Sequence, residues 1–378
     1  MTDTWTISPT WSEEVRNTAH GVLPSGNDSS IDTNLTAWNL LSEQLEKHVT
    51  AGSMLTTPVV STFSLSFNGV SMYAGGVLAS NGDIYYVPFS APRGQKVSPS
   101  GIVSTYSLIY TSTSGAYNGG VLASNGDIHF TPAAAPVGQK VSTSGVVSTY
   151  SLVYTATNAY ASGVLDSNGN IHFIQGSAPV GQKVSSAGVV STYSLVYTTS
   201  YTIYGGGVLA PNGDIHFVPT YAEVGQKISS SGVVSTYSLI YTGNNAYGRG
   251  VLAPNGDIHF VPNAAEVGQK ISINGVVSTY SLVYTASNAY FGGVLAPNGD
   301  VHFIPYSAPI GQKVSPTGVV STYNLVFTAN FANTGGVLDP EGAIYIISGN
   351  NYCIQKIHTG SGLPFSIGLC CSPFFNKF

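Results

Sequence analysis

Residues that could do chemistry recur along this chain at one fixed interval. Histidines stand at His129, His172, His216, His259 and His302, and aspartates at Asp83, Asp127, Asp214, Asp257 and Asp300. Imidazoles and carboxylates are metal ligands, but a metal needs several of them converging within bonding distance. One histidine per repeat spreads them apart, and Tyr85 and Tyr345 replace it in the first and last copies. The histidines therefore read as packing and hydrogen-bonding residues between neighbouring repeats. A calcium loop clusters several oxygen ligands within about a dozen residues. Here each turn offers one carboxylate, and Asn170 and Ala343 stand in for it in two copies, so the aspartates read as turn stabilisers. No metal or cofactor is expected.

Two further series recur. Lys96, Lys140, Lys183, Lys227, Lys270 and Lys313 close a Gly-Gln-Lys triplet, and Lys356 follows Gln355. A ring of ammonium groups would attract an anion such as a sulfated or sialylated glycan. The alternative is seven lysines that snorkel to solvent and pair with a neighbouring blade. The second series is Tyr73, Tyr117, Tyr160, Tyr204, Tyr247 and Tyr290, with Asn333 in the seventh copy. These tyrosines either stack sugar faces as a ligand ring or plug the spaces between repeats, since aromatics are usually packed. Five ionisable residues break the repeat: Asp166, Asp339, Glu223, Glu266 and Arg249. Nothing pairs them into the carboxylate couple or nucleophile and base that hydrolysis requires, so no enzyme is expected.

The elements that carry these residues follow from the period. An Asn-Gly turn begins at Asn81, Asn125, Asn168, Asn212, Asn255 and Asn298, and Glu341-Gly342 marks a divergent seventh copy. Seven units of about 43 residues match four-stranded propeller blades. In the second copy, residues 119–123 are short and small, as an innermost strand must be. Asn125-Gly126 is a hairpin signal with positive φ at the glycine. Residues 127–130 and 138–142 supply the second and third strands, and residues 146–155, rich in β-branched and aromatic types, the outer one. An outer-strand sequence also begins at Val59, before any inner strand, whereas the last copy lacks one after it. The chain is thus expected to be an all-β, seven-bladed β-propeller with four antiparallel strands per blade, closed by the N-terminal outer strand. Closure removes sheet edges that invite aggregation.

Composition fits this plan. Only 8% of the 378 residues are charged, against 44 Gly and 24 Tyr, which excludes a disordered chain. With 12 basic residues against 17 acidic ones, nucleic-acid binding is not expected. No apolar run is long enough for a membrane helix, and no basic segment precedes an apolar core as in a signal peptide. Residues 1–58 hold the three tryptophans and carry the net charge of −5. Leu35, Trp38, Leu41 and Leu45 recur there at helical spacing, predicting one amphipathic helix in a docking arm. The propeller then covers 59–357, and 358–378 forms a tail expected to pack on it. Cys353, Cys370 and Cys371 form no disulfide framework.

Strand direction separates two faces. The loops entering each inner strand and those between second and third strands share one face, and there the copies differ. The Asn-Gly turns on the other face barely change. Tyr, Ser and Asn loops are good contact chemistry. The repeat Gly-Gly-Val-Leu-Ala-Pro-Asn-Gly-Asp-Ile-His-Phe-Val-Pro at residues 206–219 resembles a propeller repeat of bacteriophages, large DNA viruses and some bacteria. The ending Ser372-Pro373-Phe374-Phe375 resembles the end of such chains. That resemblance implies a virion or surface protein and transfers no functional residue. The expectation is a non-enzymatic tail or capsid-surface protein, exposed outside the cell after release. It would be docked to other virion proteins through residues 1–58 and bind host-surface glycans by its varied face. A cellular protein-interaction scaffold is the alternative.

Overall fold

A computed structural model describes residues 59–64, 71–199, 201–326, 333–339, 342–348 and 353–359. The helix expected at Leu35, Trp38, Leu41 and Leu45, and the tail after residue 359, lie outside the described residues. Seven four-stranded antiparallel sheets form the body. Blades 1 to 6 each run in sequence order from an inner to an outer strand, covering residues 73–106, 117–151, 160–194, 204–238, 247–281 and 290–324. Blade 7 contains Asn333–Leu338, Ala343–Ser348 and Cys353–His358, and its outer strand is Val59–Ser64. That strand pairs antiparallel with Cys353–His358, from Val59 opposite His358 to Ser64 opposite Cys353. The expected ring closure is present.

Local chemistry explains each element. Second strands such as Ile128–Pro132 are buried at every residue, because flanking blades cover both faces. Gly126 takes φ 85° in its turn, where its N–H bonds the Ala123 carbonyl. Asn125 Oδ1 accepts the Asp127 N–H at 3.0 Å, so the Asn-Gly-Asp triplet fixes its own hairpin. Every inner strand carries a bulge just after its first residue, as between Tyr160 and Ser162.

Blades are joined by two devices. One is a belt of backbone hydrogen bonds on the varied face, including Ala116 N–H to Phe89 O, Ala159 N–H to Ala133 O and Ala246 N–H to Thr220 O. It puts the entering loop of one blade beside the loop between second and third strands of the previous blade. The other device is the glutamine of Gly-Gln-Lys. Gln182 is fully buried, and its Oε1 accepts the Val153 and Tyr154 N–H groups of the preceding blade at 2.9 and 2.8 Å. The outer strand is accordingly shorter than the expected 146–155: it spans Val147–Ser151, and beyond it the chain turns its donors to the neighbouring blade.

Candidate functional site

The tyrosine ring is not a ligand ring. Tyr73, Tyr117, Tyr160, Tyr204, Tyr247 and Tyr290 open the inner strands and are at most 1% exposed. Tyr160 packs on Phe173 within its blade at 5.7 Å and edge-on against Tyr154 of the previous blade at 6.4 Å. Tyr117 OH donates to the Val137 carbonyl at 3.1 Å, and Tyr247 OH to that of Val267. With both the ring and the hydroxyl engaged by protein, no surface is left for a sugar. Burial pushes these phenols up, so they stay neutral.

The lysine ring is corrected in the same way. Lys96, Lys140, Lys227, Lys270 and Lys313 each donate to the hairpin aspartate of their own blade at 2.5 to 2.7 Å, and Lys356 pairs with Asp339 at 3.1 Å. Burial opposes ionisation of Asp127, but Lys140 and Asn125 outweigh it and hold the carboxyl below its ordinary value. Six of the seven cations are therefore neutralised locally. Lys183 alone among them has no carboxylate partner among the described residues, because Asn170 occupies the aspartate position. In blades 3 and 7 the lost carboxylate reappears four residues earlier, as Asp166 and Asp339. Asp166 accepts from Asn170 and from His172 Nε2 at 3.2 Å. Burial opposes its ionisation, yet these bonds bring it down to about 2.

The histidines bond within blades, not between them as expected. His129 Nδ1 lies 3.1 Å from the Tyr150 hydroxyl of its own outer strand, and His259 the same distance from Tyr280. The tyrosine ring reaches the histidine across the glycine of Gly-Gln-Lys. A Cβ on Gly138 would sit 2.2 Å from Tyr150, so no larger residue fits beneath that ring. Burial, reinforced by Lys140, brings His129 down to about 4; His216 and His259 fall to about 4 and His302 to about 3 for the same reason. Rings in this state are neutral structural parts.

What remains open to a ligand is the varied face and the mouth of the central channel. In blade 4, Tyr201 and Tyr221 are 54% and 37% exposed and meet edge-on at 6.1 Å. The other described blades have Ser90, Ala134, Ser177, Ala264 and Ser307 where blade 4 has Tyr221. Nearby loops hold an amide ladder, in which Asn245 Nδ2 lies 2.7 Å from Asn263 Oδ1 and from Asn288 Oδ1. Phe291 and Tyr306 add a second aromatic pair at 5.6 Å.

Arg249 enters this face from the inside. Its Nη1 donates to the Ala161 carbonyl at 2.8 Å and to that of Gly205, its Nη2 reaches Asn118 Oδ1 at 3.5 Å, and its guanidinium lies over the Phe291 ring at 5.3 Å. One side chain of blade 5 thus touches blades 2, 3, 4 and 6. The other repeat-breaking residues do not converge with it: Asp166 and Asp339 belong to hairpins of the opposite face, and Glu223 and Glu266 are exposed. The sequence marked Arg249 as an exception to the repeat, while the clamp glutamines drew no notice although the recurrent Gly-Gln-Lys triplet contains them.

No protein-family model matches the chain, and no curated protein matches it. Its fold is similar to several solved structures. A streptogramin B lyase shares 20% identity at a TM-score of 0.69, over 81% of this chain and 99% of the other. Virginiamycin B lyase from Staphylococcus aureus shares 16% at 0.70, over 80% and 99%. The WD40 β-propeller domain of Doa1 shares 14% at 0.60, over 79% and 97%. At these identities the likeness extends to the propeller alone.

Proposed function

We propose that this is a non-catalytic binding propeller whose varied face takes neutral glycans, as an attachment component on a virion surface. The observation that carries the reading is the exposed Tyr201–Tyr221 pair, set among loops rich in Ser, Thr and Asn. Exposed tyrosines offer apolar faces to sugar rings at low entropy cost, and neighbouring amides and hydroxyls supply hydrogen bonds. The low charge of the chain suits an uncharged ligand. The virion setting rests on the repeat's resemblance to phage and large-virus propellers. Absence of catalysis is supported by the repeat-breaking ionisable groups, each tied into its own surroundings or exposed alone.

A second reading, a protein-interaction scaffold, is favoured by the rim. Val146, Val189, Val233, Val276 and Val319 at one end of the outer strands, and Val153, Val196, Ile240, Val283 and Val326 beyond the other, are each 60 to 63% exposed. Such an apolar periphery suits protein contact.

A glycan array with full-length protein, repeated with Tyr201→Ser and Tyr221→Ser together, separates the two. Binding to neutral glycans that disappears in the variant at unchanged melting temperature supports the first reading. Absence of binding to any multivalent glycan overturns it and leaves the rim as the functional surface.

A further inference from the structure

The seven positions two residues beyond the start of each inner strand are Gly75, Gly119, Ser162, Gly206, Arg249, Gly292 and Gly335. Five are glycine, one is serine and one is arginine, the largest cation. This register lies at the varied-face end of the inner strands, at or beside the bulge that interrupts each pairing with the second strand. The glycines make room for the arginine: a Cβ on Gly206 would come within 3.1 Å of Arg249 Cδ. A Cβ at Gly75 would meet nothing within 4 Å among the described residues.

The charge at this point has no counter-charge. No carboxylate pairs with Arg249 among the described residues, and its acceptors are two carbonyls and one amide oxygen. Burial draws its pKa down to about 10, so it remains a cation at neutral pH. A half-buried cation without a carboxylate partner is costly, and an anion that fits beside it would relieve that cost. Nε takes no acceptor among the described residues, and Asn118, whose Oδ1 is used by Nη2, keeps its amide N–H groups. Ser162 of blade 3 adds a hydroxyl, and Arg249, Asn118 and Ser162 are each partly exposed. Donors on a planar guanidinium match a carboxylate better than a spherical ion.

We propose that the varied-face mouth of the central channel is a binding site for one carboxylate group, with Arg249 as its charged ligand and Asn118 as its neutral one. The site takes a small acid, or the acid group of a sugar such as a uronic acid, and does not depend on the Tyr201–Tyr221 surface. Because the sixfold run of small residues is broken once, the ring holds one such ligand.

The test is a titration of full-length protein with glucuronate, acetate and glucose at constant ionic strength, following the Arg249 Nε–H signal by NMR and the melting temperature. Glucuronate and acetate should move the Nε–H signal saturably, with one equivalent bound, and raise the melting temperature, whereas glucose should do neither. Asn118→Ala should weaken carboxylate binding about tenfold, the loss of one hydrogen bond to the carboxylate of about 1.4 kcal/mol. Arg249→Gln should abolish it. If Arg249→Gln fails to fold, the wild-type titration and Asn118→Ala still decide. An Nε–H signal that stays fixed or drifts without saturation overturns the proposal and leaves Arg249 as a strut between blades. Equal affinity of Asn118→Ala and wild type overturns the assigned donor set.

Discussion

Acid should dismantle this ring through its buried histidines, and the structure sets the scale. His129, His216 and His259 sit at about 4 and His302 at about 3, against an ordinary value near 6.5 in the unfolded chain. The folded values lie below the unfolded one, so the unfolded chain binds more protons. Stability is therefore complete above about pH 6.5 and drains as pH falls toward 4. At pH 5 each ring accounts for about 0.9 of a proton, and the four together for about 3.6, a slope of about 5 kcal/mol per pH unit. Between pH 7 and 5 each ring costs about 1.8 kcal/mol and the set about 7 kcal/mol, comparable with the whole stability of an ordinary domain. The protein itself supplies the control. Blade 1 has Tyr85 in this place, edge-on to Tyr106 at 5.6 Å, with Lys96 5.3 Å from its ring centroid. Changing His129 and His259 to Tyr should keep stability near neutral pH and halve the slope, to about 1.8 protons at pH 5. Urea unfolding at half-unit steps from pH 7.5 to 4.5 reads that slope directly. An identical slope in the double variant would refute the reasoning and shift the acid response to carboxylates such as Asp127 and Asp214, which their lysine partners hold below the ordinary value.

Two other expectations concern how blades hold together. Tyr160→Ala removes a fully enclosed ring and should cost about 3–5 kcal/mol in urea unfolding, whereas Tyr221→Ala on the exposed face should stay within about 0.5 kcal/mol. Gln182→Ala strands the Val153 and Tyr154 N–H groups and should cost about 1–3 kcal/mol for each donor that water does not reach. Hydrogen exchange at those two amides should quicken before any other in blade 2.

The period of the chain, its four strands per unit and the closure by Val59 were readable because each depends on spacing and local type. The roles of the recurrent side chains were less so. Tyr160 carries the same spacing whether it faces a sugar or a neighbour. The outcome was set by Tyr154, whose segment leaves its own sheet and lands on the next blade. The lysine ring failed as an anion site because the hairpin Asp and the lysine thirteen residues later lie side by side on adjacent strands, a pairing the repeat already contained. His129 was placed between blades because a bond to the residue twenty-one positions on, across an intervening glycine strand, has no mark in local pattern. Arg249 was legible as an exception, but its partners Asn118, Ala161 and Gly205 are gathered only when the ring closes.

The near-identity of blades 2 to 6 bears on how such a chain finds its shape. Each glutamine accepts the same two donors from the blade before it, and each tyrosine accepts the same aromatic neighbour. These joints cannot tell one blade from another, so a folding chain that pairs blade 3 with blade 5 satisfies them nearly as well and becomes trapped, as in other repeat arrays. Only the seam differs: it keeps the register of the other blades, with Gln355 opposite Thr62 as Gln182 is opposite Thr192, but it joins strands from opposite ends of the propeller and carries its own sequence in Cys353–His358. The seam is thus where the molecule counts to seven.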